Sequence, residues 1–122
     1  MPNLRKGSFL DELRARYGTL RKLDNTLSLY DVGDGACRIY IRYSKIHARI
    51  STFYGLRQED LRHLEGRPAV ICFLWEGQKE PLLIPYADYE EIFQVLTPAG
   101  DGQYKAQVFI RGDATELYIA GA

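Results

Sequence analysis

The chain has 122 residues, 46% hydrophobic and 26% charged, enough to bury a core of its own and the size of one domain. Sixteen basic side chains balance sixteen acidic ones, a composition that excludes a disordered or fibrous chain. No apolar run reaches the roughly 18 residues of a membrane span, and no apolar stretch follows the basic N-terminus as a secretory signal would need, so the expected location is cytoplasmic and no membrane partner is expected.

Leu10, Leu13, Tyr17 and Leu20 recur at helical spacing, and Ser8 with Asp11 three places on supplies a start signal. The spacing predicts a first helix over 8–23, its other face carrying Arg14, Arg16, Arg21 and Lys22. Residues 27–32 read as a strand, 33–35 (GDG) as a turn, and 37–46 as a second strand, together a hairpin. A period of two places Cys37, Ile39, Ile41 and Tyr43 on one face of that second strand, expected in the core. Arg38, Tyr40, Arg42 and Ser44 fall on the other, expected to be an exposed basic and aromatic face. Residues 46–57 show no clean period and read as a long loop before a short helix at 58–64 that Gly66 stops.

The continuous apolar run 68–75 predicts a central strand buried on both faces. A turn at 76–80 leads into a strand at 82–84, and a third helix follows over 86–96, with Tyr89, Ile92, Phe93 and Leu96 as its buried stripe. Beyond a loop at 97–102, Tyr104, Ala106, Val108 and Ile110 alternate with Lys105, Gln107, Phe109 and Arg111, and 112–113 turn into a last strand at 115–120. The order α-ββ-α-ββ-α-ββ predicts an α+β fold, a mixed or antiparallel sheet of about six strands with three helices. Residues 1–122 form a single domain, and an end two residues past a strand suits an N-terminal domain excised from a larger protein.

Cys37 and Cys72 lack metal-ligand spacing and are too few for a disulfide framework, so both are expected buried and reduced. Neither a phosphate-binding glycine loop nor a dinucleotide fingerprint is present, and no Ser, Cys or His arrangement supports a catalytic triad. No cofactor is expected.

The charges are unevenly placed. Residues 1–50 hold ten Lys/Arg against five Asp/Glu, and residues 51–122 hold six against eleven. Within this, 35–58 contains no carboxylate while carrying Arg38, Arg42, Lys45, His47, Arg49 and Arg57, interleaved with Tyr40, Tyr43, Phe53 and Tyr54. Guanidinium and ammonium groups neutralise phosphates and release counterions, and aromatic rings stack on bases. The expected DNA-binding residues are therefore Arg38, Tyr40, Arg42, Lys45, His47, Arg49, Tyr54 and Arg57, with DNA favoured over RNA. A protein-docking or oligomerisation domain, its charge halves complementing one another, is the competing class.

Two resemblances bear on this. The first hairpin, with Asp31 and Asp34, is similar to that of PD-(D/E)XK nucleases, which hold a divalent metal between an Asp near the turn and a Glu-x-Lys on the next strand. Residues 40–42 read Tyr-Ile-Arg at that place, so the second carboxylate and the lysine are missing and both acids read as turn residues. A small metal-dependent nuclease using Asp31 and Asp34 is thus an alternative only. A second variant, Asp101 with Gln103 and Lys105, is also simple hairpin chemistry. Residues 39–45 (IYIRYSK), 53–61 (FYGLRQEDL), 70–75 (VICFLW) and 82–85 (LLIP) resemble N-terminal regions of restriction-type endonucleases. That resemblance implies a non-catalytic domain that recognises target or modified DNA and a downstream nuclease domain that cuts.

Overall fold

A computed structural model describes residues 4–33, 35–46, 50–78, 80–111 and 114–121. The fold is α+β, with three helices and two sheets. Helix α1 (Leu4–Tyr17) begins earlier and ends earlier than its apolar spacing predicts. Gly18, at φ +80°, takes the left-handed position and donates its N–H to the Arg14 carbonyl at 2.9 Å, which closes the last turn. The residues read as a continuation of the helix instead form strand β1 (Leu20–Lys22).

β1 pairs antiparallel with β2 (Leu29–Val32), and β2 with β3 (Cys37–Ser44), as the hairpin signal requires. β3 then pairs in parallel with β5 (Ala69–Trp75), with Ile41 opposite Cys72, and β5 pairs antiparallel with β6 (Leu82–Pro85). The result is a mixed five-stranded sheet in the order β1-β2-β3-β5-β6. The crossover from β3 to β5 carries β4 (Ser51–Arg57) and the short helix α2 (Gln58–Arg62). β4 is a full strand where a loop is expected. Thr52, Tyr54 and Leu56 point inward, while half-exposed Phe53 breaks the apolar alternation that would have signalled it. It pairs with β7 (Gln103–Arg111), and β7 with β8 (Ala114–Ile119), to make a separate three-stranded sheet. The count is eight strands among the described residues, not six in one sheet; β1 and β4 are the two additions.

Helix α3 (Glu90–Val95) is preceded by a 3-10 turn at Tyr86–Asp88, with Tyr89 between them at ψ −3° interrupting the expected single helix. Its end is tied by Tyr104, whose hydroxyl donates to the Phe93 carbonyl at 2.9 Å and whose ring meets that of Phe93 edge-on at 5.3 Å.

The five-stranded sheet is buried on both faces. One face takes Phe9 and Leu13 of α1 against Tyr30, Val32, Ile39, Ile41, Cys72 and Leu74. The other packs Leu29, Tyr40, Ile71 and Phe73 against Tyr54, Leu56, Tyr104, Ala106 and Val108 of the three-stranded sheet. β5 is thus central and doubly buried, as its unbroken apolar run implies. The same layering corrects the reading of β3: the face expected to be exposed lies under the second sheet, and Tyr40 is 0% exposed. Cys72 is buried as expected, whereas Cys37, at the first position of β3, is only half-buried. No helix among the described residues is long and apolar enough to cross a membrane.

Candidate nucleic-acid interface

Three of the expected contact residues have structural duties. The phenol of Tyr40 accepts the backbone N–H of Arg57 at 3.0 Å, and burial pushes its ionisation well above the usual tyrosine range. Tyr54 is likewise buried; its hydroxyl donates to the Leu74 carbonyl at 3.0 Å, and its ring meets Phe73 edge-on at 4.8 Å. Neither ring can stack on a base without opening the core.

Arg38 donates through Nε to Asp31 Oδ1 at 2.8 Å and through one terminal nitrogen to Oδ2 at 3.2 Å. Its other terminal nitrogen reaches the His63 carbonyl at 2.9 Å, fastening the first hairpin to the end of α2. Arg21, opposite Asp31 on β1, adds a contact to Oδ2 at 3.2 Å. The Arg38 hydrogen bond, with the charges of Arg38, Arg21 and Arg67 behind it, holds the Asp31 carboxyl below the ordinary range against the opposing effect of burial. This carboxylate, central to the metal alternative, is therefore occupied by two guanidinium groups; Asp34 lies outside the described residues. Among the described residues no three His, Cys, Asp or Glu side chains gather as a metal-binding set. Asp101 pairs with Lys105 at 2.7 Å.

Arg42 is different. It is half-buried at the end of β3 nearest the β2 entrance, donates to Ser28 Oγ at 3.2 Å, and lies 5.7 Å from the Tyr40 ring centroid. Its charge and that of Lys22 on β1 both reach Lys6 of α1, an element distant in sequence. Lys6 donates to the Leu27 carbonyl at 3.2 Å and sits 5.6 Å from the Tyr30 ring centroid. Burial, then the neighbouring charges of Arg42 and Lys22, pulls the Lys6 ammonium below its ordinary pKa. None of these three cations takes part in an ion pair among the described residues.

On its other side Arg42 lines a cleft of about 150 Å³ with Arg57, His63, Glu59, Asp60 and Asn25, the last at φ +61°. The structure thus brings Arg42 and Arg57 together across a cleft. Arg57 pairs with Glu59 there. Lys45 is exposed just beyond β3, and His47 and Arg49 lie outside the described residues. Lys6 and Lys22 were missed because each sits in an unremarkable charged stretch; only the pairing of β1 with β2, hidden by a helical reading of 18–23, carries Lys22 beside Tyr30.

Comparison with protein-family models, curated proteins and solved structures finds no match for this chain.

Proposed function

We propose that this chain is a DNA-binding domain whose primary contact is to backbone phosphates, made by Lys6, Lys22 and Arg42 with Lys45 at the margin. The observation that carries the reading is that Lys6 of α1 lies in the field of both Lys22 of β1 and Arg42 of β3, with none of the three in an ion pair among the described residues. Like charges held together are unfavourable in the free protein and become favourable when an anionic backbone neutralises them and counterions leave. The cleft behind Arg42, with Arg57 and His63 set among acceptors, offers the mixed donors and acceptors suited to a base edge. With the resemblance of 39–45, 53–61, 70–75 and 82–85 to restriction-type endonucleases, the reading extends to target or modified-DNA recognition for a downstream nuclease domain.

The test is titration of labelled plain and methylated duplexes at two or more salt concentrations. Wild type should bind with strongly salt-dependent affinity, and Arg42→Ala should weaken binding to every sequence and lower the salt slope by about one unit. A folded Arg42→Ala variant that binds as wild type does at low salt would remove this surface from consideration. Absence of salt-sensitive binding by wild type would favour the protein-docking alternative.

A further inference from the structure

Each of the two sheets has two edge strands, and among the described residues three of the four edges are blunted. β1 is three residues long and two of them, Arg21 and Lys22, are cationic. β6 is four residues long and ends at Pro85. β4 has the N–H groups of Phe53 and Arg57 accepted by the Ser44 and Tyr40 hydroxyls. Short, charged, proline-bearing or covered edges are how sheets avoid adding strands. β8 has none of these protections: Ala114–Ile119 runs six residues, includes the strand-favouring Thr115, Tyr118 and Ile119, and carries Glu116 as its one charge.

The phase of the ladder fixes which groups are left over. Ala120 donates its N–H to the Lys105 carbonyl at 3.0 Å, so by alternation Tyr118, Glu116 and Ala114 also turn their backbone groups toward β7. Thr115, Leu117 and Ile119 turn theirs to the free edge, and among the described residues no side chain hydrogen-bonds to them. Leu117, opposite the buried Val108, shares the inner face with Thr115 and Ile119, while Glu116 and Tyr118 share the outer face, Tyr118 being 54% exposed.

We infer that this edge is a homodimerisation site, at which β8 pairs antiparallel with β8 of a second copy about a two-fold axis at Leu117. With Leu117 opposite Leu117, Thr115 faces Ile119 of the second copy, and the outward backbone groups of both strands exchange hydrogen bonds in phase. The same register brings the two Leu117 side chains together at the margin of the core. It sets Glu116, paired at 2.7 Å with Arg111 of its own chain, beside Tyr118 of the second copy, so no like charges meet. A two-residue slip one way would set Glu116 against Glu116, and a slip the other way would carry Thr115 past the end of β8. β8 is thus complementary to itself in one register, the property a two-fold interface requires. The inference does not draw on the DNA reading, and its residues lie on a different sheet from Lys22 and Arg42.

One strand edge falls short of the roughly 1,200 Å² of a standard interface, so the dimer is a weak one, with a dissociation constant on the order of 100 µM. Sedimentation equilibrium of the full chain should show monomer and dimer in exchange between about 10 µM and 1 mM. Thr115→Pro removes an outward N–H from each copy without touching the β7 ladder, and should weaken dimerisation about 10-fold or more. Tyr118→Glu and Tyr118→Lys both remove the ring, but the first sets a carboxylate opposite Glu116 of the second copy and the second an ammonium group. The lysine variant should therefore dimerise about 10-fold more tightly than the glutamate variant, and the gap should close near 1 M salt. Circular dichroism verifies that the variants are folded, and the exposed Tyr118 position carries the test if Thr115→Pro does not fold. A chain that stays monomeric at about 1 mM would overturn the inference. So would a dimer indifferent to a folded Thr115→Pro, or equal dimerisation of the two Tyr118 variants at low salt, since either would place the contact away from this edge.

Discussion

The hydroxyl oxygen of Tyr40 accepts the backbone N–H of Arg57 at 3.0 Å, and four residues along each strand the hydroxyl of Ser44 accepts that of Phe53, also at 3.0 Å. β4 therefore runs antiparallel along the face of β3, its free edge satisfied by side-chain oxygens where another strand's carbonyls would ordinarily serve. Such edge N–H groups invite pairing with other chains unless something occupies them. Here β3, already paired on both sides, uses its inward side chains to fix the register of the second sheet.

Tyr40→Phe should keep the packing of the ring and leave the Arg57 N–H without its acceptor. The expected loss is about 1–3 kcal/mol of unfolding free energy, the cost of a buried polar group left unsatisfied. Urea denaturation measures it, and hydrogen exchange should show faster exchange at the Arg57 amide. A variant as stable as wild type, with unchanged exchange there, would mean that the hydroxyl does not set the register.

The arrangement also marks the boundary of what the sequence makes legible. The apolar run at 68–75 and the turn signals at 33–35 and 76–80 suffice for the central strand and its hairpins, because burial on both faces and tight turns each leave a local signature. Tyr40 does not announce its burial. A tyrosine flanked by Arg38 and Arg42 on a strand of period two reads as an exposed aromatic, and only the second sheet, which joins β4 to strands more than 60 positions beyond Tyr40, covers it. The site behaves likewise: Arg42 is identifiable from composition, whereas its field on Lys6, shared with Lys22, depends on tertiary packing.

Asp31 links stability to pH. Its carboxyl is held below the ordinary range, so it contributes stability that is fully present above the unfolded value of about 3.9 and is lost as pH falls through the lower folded value. Asp31→Asn should cost about 2 kcal/mol at neutral pH, less than breaking a wholly buried pair because Arg21 keeps the network near solvent. It should also flatten the acid limb of the stability curve below pH 4, measured by urea denaturation across pH. An unchanged acid limb would assign that limb to other carboxylates.

The two cysteines should remain thiols that differ in reactivity. Cys72 faces Ile41, four residues further along β3 than Cys37, an offset of about 13 Å along the strand that exceeds the roughly 7 Å limit for bridged Cα atoms. Cys72 is fully buried and should react with a thiol reagent only on unfolding. Burial, aided by the Asp31 charge, pushes the Cys37 thiol up, so it should react slowly at neutral pH and faster as the solution becomes alkaline. Mass spectrometry of protein handled without oxidant should find no link between them; a Cys37–Cys72 bridge would contradict the register of β3 and β5.

The cationic cluster should trade stability against binding. Lys22, exposed on β1, adds to the positive field at Lys6, so Lys22→Gln should relieve repulsion in the free protein while removing a phosphate contact from the complex. Unfolding free energy at low salt should rise by about 0.3 kcal/mol, the scale of exposed charge pairs, and the gain should vanish near 1 M salt, where the screening length falls to about 3 Å. Duplex affinity should fall, with the salt slope reduced by about 0.9. A helical or strand propensity effect would raise or lower stability equally at both salt concentrations. Opposite signs for stability and affinity, both fading with salt, are expected only of a charge retained for an anionic partner. If Lys22→Gln leaves both quantities unchanged at low salt, the cluster is not a phosphate-binding surface.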